Sequence, residues 1–277
     1  MNELKVLSYD LRKHVVDMII AGKGGHIGGD MSVMEILVEL YMKQMNISPE
    51  NKELDNRDRF VLSKGHSVES YYAVLAKKGF FPMEEVISTF SQFGSKFIGH
   101  PNNKLPGIEM NSGSLGHGLP VSVGMALAGK MDDRDYRVYT VMGDGELAEG
   151  SVWEGAMAAS HYKLDNLCAV VDRNRLQISG RTEDVMAHDD LHERFGAFGW
   201  NVIDVADGND IDQLKVAFDT AKTVKGRPSV LIANTVKGKG SSVMEDKANW
   251  HHKVPSGEEL AQIRKELADR KEAALRG

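Results

Sequence analysis

A single cysteine, seven prolines and an aromatic fraction of 7% in 277 residues remove several explanations at once. One thiol cannot close an internal disulfide, so no disulfide framework holds this fold; Cys168, inside the apolar run Leu167 to Val171, reads as buried filler. Long hydrophobic runs are missing too: no stretch approaches the roughly 18 apolar residues of a membrane-spanning helix. The opening Met1-Asn2-Glu3-Leu4-Lys5 lacks the basic-then-apolar design of a signal peptide, and the cytoplasm is the expected compartment. Cationic excess is absent, since 34 Lys and Arg face 40 Asp and Glu for a net charge of −6. That balance argues against bulk nucleic-acid binding and leaves room for a small local cationic pocket. Repeats, low-complexity tracts and interdomain linkers are not found, so residues 1–277 are expected to form a single domain with a sizeable core.

Hydrophobic spacing supplies the elements. Leu4, Leu7, Leu11, Val15, Met18 and Ile19 recur at helical intervals, and Gly22-Lys23-Gly24-Gly25 ends that helix. Met31 to Met45 predicts a second helix, with Val33, Ile36, Leu37, Leu40 and Tyr41 on one face. Arg59 to Leu62 is a short strand running into Ser63-Lys64-Gly65-His66, and Ser70 to Lys77 and Met83 to Phe90 look helical. Gly94 to Gly118 is a long glycine- and proline-rich stretch, of the kind a compact domain keeps for function. An Ala/Gly-rich helix over Leu119 to Lys130 is suited to close packing on a sheet. Strands at 138–142, 167–171, 201–205 and 229–233 then alternate with helices Gly150 to Tyr162 and Ile211 to Thr223. This alternation predicts an α/β fold, a doubly wound parallel sheet. Ligands of such sheets bind beyond the carboxyl ends of the strands, where Asp144, Asn174 and His66 would sit. Glu258 to Arg276 is expected to be a charged, solvated helix.

The chemistry concentrates in Gly143-Asp144-Gly145-Glu146, which closes the run Val138 to Met142, and in Asn174, about thirty residues further at the end of a second apolar run. A carboxylate and an amide leaving neighbouring strand ends can converge on one hard cation. Magnesium prefers six oxygens and is usually held by one or two carboxylates together with substrate phosphates. Asp144 supplies the anionic oxygen, Asn174 a neutral one, and the Leu176 carbonyl a third, leaving positions for phosphate oxygens. Gly143 and Gly145 let the backbone approach a phosphate, and the helix that follows is expected to aim free N–H groups at it. An Asp-Gly turn after a strand is common on its own; the spacing to Asn174 and its setting Val171-Asp172-Arg173-Asn174 are what single it out.

With those residues in place the chain closely resembles the transketolase family. Met142-Gly143-Asp144-Gly145-Glu146 through Asp172-Arg173-Asn174-Arg175-Leu176-Gln177 is similar to its thiamine diphosphate motif. Further likenesses are Gly25-His26-Ile27-Gly28-Gly29, Leu62-Ser63-Lys64-Gly65-His66, Gly99-His100-Pro101, Gly113-Ser114-Leu115-Gly116-His117-Gly118, and Glu245-Asp246-Lys247 to Trp250-His251. The resemblance implies the thiamine diphosphate-binding fold, thiamine diphosphate with Mg2+ (or Ca2+), and transfer of a two-carbon ketol unit from a ketose to an aldose. Family members usually run on into a pyrimidine-binding domain and a third domain, which this sequence lacks. The expectation is therefore one subunit of a split transketolase, inactive alone and completed by a carboxy-terminal subunit in a heterotetramer. Its substrates would be sugar phosphates or related ketoses and aldoses, with neither nucleic acid nor membrane as partner.

By the same resemblance, His66 and His251 would contact the diphosphate, together with Gly143, Asp144, Gly145, Glu146 and Asn174. His26 and His100 would face substrate hydroxyls, and all four histidines would steady alkoxides and relay protons. Gly113 and Leu115 match positions whose backbone approaches the aminopyrimidine or thiazolium, while His117 stands where many relatives have glutamine. Relatives often carry a small residue at Asp30, which is expected to cap the helix from Met31, with substrate selection as the alternative. Glu149 and Glu154 either complement a helix dipole or line an interface between paired sites. His14, His161, His188 and His192 are expected at the surface, and His252 as a solvent-facing neighbour of His251. Three other readings stay open: a 1-deoxyxylulose-5-phosphate synthase, which Val236-Lys237-Gly238-Lys239-Gly240 would also suit, part of an oxo-acid dehydrogenase, and a non-catalytic cofactor-binding module.

Overall fold

The computed structural model describes residues 2–276, so Met1 and Gly277 of the expected domain lie outside the described residues. The periodic residues of the first segment form the packed side of α1 (Asn2–Gly22), with Leu11, Val15, Met18 and Ile19 buried. The second helix, α2, spans Ile27–Glu39 and every residue in it is buried; a wider π turn, Leu40–Gln44, continues it. It therefore begins before Met31, one residue ahead of a glycine pair that sequence propensity counts against a helix. Tertiary contact overrides propensity here: a Cβ on Gly28 would lie 2.6 Å from the Trp250 carbonyl, and one on Gly29 would lie 2.8 Å from Ser67 Oγ. Asp30 is accordingly no cap. It sits within α2 and its carboxylate accepts the Ser70 N–H at 2.8 Å.

Strand β1 (Arg59–Leu62) leads to α3 (Val68–Lys78) and α4 (Met83–Thr89). The glycine- and proline-rich stretch that follows has neither helix nor strand, yet Phe97, Leu105 and Ile108 anchor it in the core. Then come α5 (Gly118–Met131), β2 (Val138–Gly143), α6 (Gly150–His161) and β3 (Leu167–Arg173). A small hairpin of β4 (Leu176–Gln177) and β5 (Gly180–Arg181), the single turn α7 (Thr182–Val185) and α8 (Leu191–Ala197) show no periodic signature in the sequence. The chain ends with β6 (Asn201–Val205), α9 (Ile211–Thr223), β7 (Ser229–Asn234) and α10 (Gly257–Arg276). Among the described residues no helix is long and apolar enough to cross a membrane.

The main sheet has the order β1-β2-β3-β7-β6, and every neighbouring pair is parallel. Side chains alternate between its faces, so Tyr139, Val141, Cys168, Val170 and Leu231 point into one core, and Val138, Met142, Ala169, Val171 and Ile232 into another. Crossovers through α5, α6 and α8 carry the chain from β1 towards β6 and share the second core. The return from β6 to β7 reverses direction and places α9 on the opposite face with α1, α2 and α3. Helix α10 packs along α1 and buries Ile263, Leu267 and Ala274, so the tail helix expected to be charged and solvated also has an apolar face.

Asp172, the penultimate residue of β3, ties the strand ends together. It is fully buried, accepts from Ser32 Oγ of α2 at 2.6 Å and from Thr235 Oγ1 beyond β7, and pairs with Lys64 Nζ beyond β1. Lys64 Nζ also donates to the Gly29 carbonyl at 3.1 Å. Removing one partner of a buried, hydrogen-bonded pair strands the other charge. Asp172→Ala is expected to lower unfolding free energy by about 3–5 kcal/mol, measured by urea denaturation of the full chain; a loss below about 1 kcal/mol would contradict this role.

Candidate active site

Beyond the carboxyl ends of β1, β2, β3 and β7 lies a cavity of about 370 Å³. Its wall contains every residue singled out for the site: His26, His66, His100 and His251, Gly113 and Leu115, Gly143, Asp144, Gly145 and Glu146, and Asn174 and Leu176. Residues far apart in sequence are brought together because each leaves a strand end or a loop over those ends. His26 precedes α2, His66 follows β1, His100 and Gly113 come from the irregular stretch, and His251 follows the short helical turn Ala248–Trp250. Gly113 has φ +136°, and a Cβ there would lie 2.4 Å from His100 Cδ2, so only glycine lets these two wall segments meet.

Asp144 Oδ2 accepts the Arg175 N–H at 2.8 Å and Thr182 Oγ1–H at 3.0 Å, which leaves Oδ1 with lone pairs for a cation. Asn174 Nδ2 donates to Ser32 Oγ at 3.2 Å, fixing the amide so that Oδ1 is the acceptor; it takes the Leu176 N–H at 3.2 Å and keeps a second lone pair. The Leu176 carbonyl accepts Lys237 Nζ at 2.9 Å. Burial, reinforced by the neighbouring Asp172, pushes the Asp144 carboxyl up to about 6. Carboxylate, amide and carbonyl oxygens form a hard donor set, and a buried carboxyl held this high gains most from a divalent cation. No group of three or more His, Cys, Asp or Glu side chains converges on a metal position among the described residues. The donor set offers a single carboxylate and suits a cation that brings its own phosphate ligands.

Two features differ from expectation. The segment after Asp144 is one tight 3-10 turn, Gly145–Ala148, and α6 begins only at Gly150. Glu146 lines the cavity but its carboxylate is consumed internally, one oxygen by Ser63 Oγ and the Gly116 N–H and the other by the Gly143 N–H at 3.1 Å. It braces the loop, and the helix expected directly after Asp144 is replaced there by this short turn. The cationic donors are instead Lys64 and Lys237, both in the wall and both without a role assigned from sequence, although each lies in a segment of the family likeness or beside it. Lys64 is balanced by Asp172, whereas Lys237 lies between the Leu176 carbonyl and His251 Nδ1, 2.9 Å away. Burial, then the Lys64 charge, lowers Lys237 to about 8. An anion such as a diphosphate would relieve it.

The imidazoles form one cluster, with ring centroids 5.2 Å apart for His26–His66, 6.2 Å for His26–His100 and 5.3 Å for His66–His251. His252, exposed as expected, nonetheless joins them at 4.7 Å from His26. Burial lowers His26 to about 4, with His252 and His100 adding, and lowers His251 to about 3, with Lys237 adding. His66 is driven well down by burial and Lys64, and His100 down by burial. Because Nδ1 of neutral His251 accepts from Lys237, its proton resides on Nε2, as a donor. Among the remaining histidines, His161 and His192 are exposed and His14 is half-buried, but His188 is 2% exposed and lies near the Asp144 backbone, so it is buried rather than at the surface. His117, Glu149 and Glu154 are exposed and outside the wall. The hairpin residues Gln177, Ile178 and Ser179, to which the sequence assigns no role, complete it.

Lowered imidazole pKa values make the unfolded chain bind protons that the folded chain refuses, so their stability contribution is lost as pH falls below about 6.5 towards 4. In a 15N-histidine-labelled sample, the His26 and His251 ring signals are expected to stay those of neutral imidazoles from pH 8 to 5. A transition of either ring near 6.5 would contradict the assigned electrostatics.

Comparison with known proteins places this geometry. The family description "Transketolase, thiamine diphosphate binding domain" matches residues 5–274. The chain is 47% identical over 267 residues to a subunit of an apulose-4-phosphate transketolase from Phocaeicola vulgatus, covering 96% of this chain and 94% of that one. It is 43% identical to a 6-deoxy-6-sulfo-D-fructose transketolase subunit of Clostridium sp. (strain MSTE9), over 82% of each. The crystal structure of transketolase from Campylobacter jejuni superposes with a TM-score of 0.91 at 28% identity, covering 99% of this chain and 46% of that one. The chain thus spans less than half the length of the solved transketolases it matches.

Proposed function

The chain belongs to the transketolase family, and we propose that it is the thiamine diphosphate-binding subunit of a split transketolase, completed by a second polypeptide that carries the pyrimidine-binding half. What carries this is the convergence of the Gly143-Asp144-Gly145 loop, Asn174 and four histidines on one cavity, in a chain matching subunits of its own length. The reaction is transfer of a two-carbon ketol unit from a ketose to an aldose. Two relatives are named for apulose 4-phosphate and 6-deoxy-6-sulfo-D-fructose, so we place the donor among ketoses carrying a phosphate or a sulfonate.

Thiamine diphosphate, when bound, supplies the carbanion and electron sink for breaking and remaking a carbon–carbon bond beside a carbonyl. The rest falls to the protein. Asp144, Asn174 and the Leu176 carbonyl would hold Mg2+ (or Ca2+), and Lys237, His66 and the Nε2–H of His251 would answer the diphosphate charge. The Gly113 and Leu115 backbone would lie against the cofactor rings. His26 and His100, neutral at working pH, would donate hydrogen bonds to substrate hydroxyls and accept protons from them without adding charge. We place the assembly in the cytoplasm as a heterotetramer with sites between subunits.

The test is a coupled assay of the chain with and without its partner subunit, with cofactor and Mg2+, offering a ketose phosphate, a sulfo-ketose or pyruvate as donor. Ketol transfer is expected only from the pair, with a ketose donor. Asp144→Asn is expected to weaken cofactor binding by about 100-fold or more in calorimetric titration. Full transfer by the chain alone would refute the split enzyme, and a preference for pyruvate would favour the 1-deoxyxylulose-5-phosphate synthase reading.

A further inference from the structure

Two carboxyl groups stand directly behind His26 and take no part in the chemistry above. Asp30 on α2 and Glu69 on α3 are both completely buried. Asp30 Oδ1 accepts the Ser70 N–H at 2.8 Å, and Glu69 Oε1 accepts the His26 N–H at 3.3 Å. Asp30 Oδ2 and Glu69 Oε2 are buried with no donor to satisfy either among the described residues, and the two carboxyls lie close enough to interact through a hydrogen bond. Ionised carboxylates only accept, so such a bond requires a proton between them.

The surroundings offer no counter-cation to replace that proton. On one side are Ile19 of α1 and the Gly25 backbone, so close that a Cβ on Gly25 would lie 2.2 Å from Glu69 Oε1. Lys64, the cation acting on Asp30, is already paired with Asp172. Tyr72, further along α3, faces Glu69 and is neutral, its hydroxyl donating to backbone carbonyls at 98 and 100. The His26 ring is neutral as well. Burial pushes Asp30 up to about 7, and burial together with Asp30 drives Glu69 well above the carboxylate range.

We propose that Asp30 and Glu69 share one proton and act as a single positioning unit for His26. The Glu69 carboxyl donates to Asp30 Oδ2, and its other oxygen holds the His26 main-chain N–H at the start of α2. Loss of the proton would leave two negative charges facing each other in a dry contact between α2 and α3. An acid whose folded pKa is raised contributes stability that is complete below its unfolded value near 4 and is lost as pH rises through the folded value, here about 7 and upward. The unit therefore sets an alkaline limit on the geometry of His26. Its catalytic consequence rests on the function proposed above; the shared proton does not.

Glutamine at position 69 can donate to Asp30 and accept from His26 with no proton to lose, which separates the proton from the scaffold. Infrared difference spectra of the full chain at pH 7, wild type against Glu69→Gln with labelled carboxyls, are expected to show one protonated carboxyl in the wild type that vanishes in the variant. Between pH 6 and 9 the wild-type Tm is expected to fall by about 3 °C more than that of Glu69→Gln. In the reconstituted pair, Glu69→Gln should keep kcat within about twofold and shift the alkaline limb upward. Glu69→Ala should lose about 10- to 100-fold in kcat with cofactor affinity retained. The proposal is overturned if no protonated carboxyl is seen, or if Glu69→Gln is as impaired as Glu69→Ala. Should Glu69→Ala not fold, the spectrum and the glutamine variant decide. Should the pair show no ketol transfer, the functional reading fails while spectra and melts still judge the shared proton.

Discussion

The buried pair of Lys64 and Asp172 is the constraint on which the rest of the molecule turns. A parallel sheet aligns its strands along their length, but nothing in the ladder fixes the loops that leave their ends. Here one carboxylate gathers donors from beyond β1, from α2 and from beyond β7, and the ammonium it holds reaches the Gly29 carbonyl. Four separate segments are thus locked at one level, immediately under the cavity. Ser32, held by Asp172, in turn orients the Asn174 amide. The position of Asn174, the proposed metal ligand, is therefore set from Asp172, through its own carbonyl and through Ser32.

Charge in the cavity follows from the same arrangement. One lysine is cancelled by Asp172 and the other is left beside the histidines, where it helps to keep them unprotonated. Neutral rings around an ammonium with no directly paired carboxylate make a site suited to an anion at one end and, on the proposed reading, to proton exchange at the other. The two behaviours are compatible because burial acts on both groups in the same direction, lowering the imidazoles and the lysine alike.

Much of this is legible in the sequence, for identifiable reasons. Strands β1, β2, β3, β6 and β7 declare themselves because each is a short apolar run between turn formers, and the residues that leave β1, β2 and β3 carry the family likeness. What escapes depends on tertiary contact. The start of α2 is obscured because Gly28 and Gly29 serve close approach to Trp250 and Ser67 and so look like a helix end. Asp30 resembles a cap for the same reason, and its partner Glu69 cannot be paired with it across 39 residues without the fold. Lys64 and Lys237 lie inside conspicuous segments, but whether a lysine is balanced or free is a property of its neighbours. The hairpin β4–β5 is too short for any period, and His188 is buried by a loop whose path no pattern betrays.

The hydrogen bond from Lys237 to the Leu176 carbonyl carries a last consequence. The oxygen assigned to a divalent ion already faces a positive group, so the cluster of acceptors at the strand ends is never without a cation nearby. On the proposed reading, Lys237 would give up this carbonyl for phosphate oxygens where the Leu176 oxygen holds a divalent ion. On that reading the ion and the diphosphate would be expected to bind together, because either one alone would leave a charge unmatched.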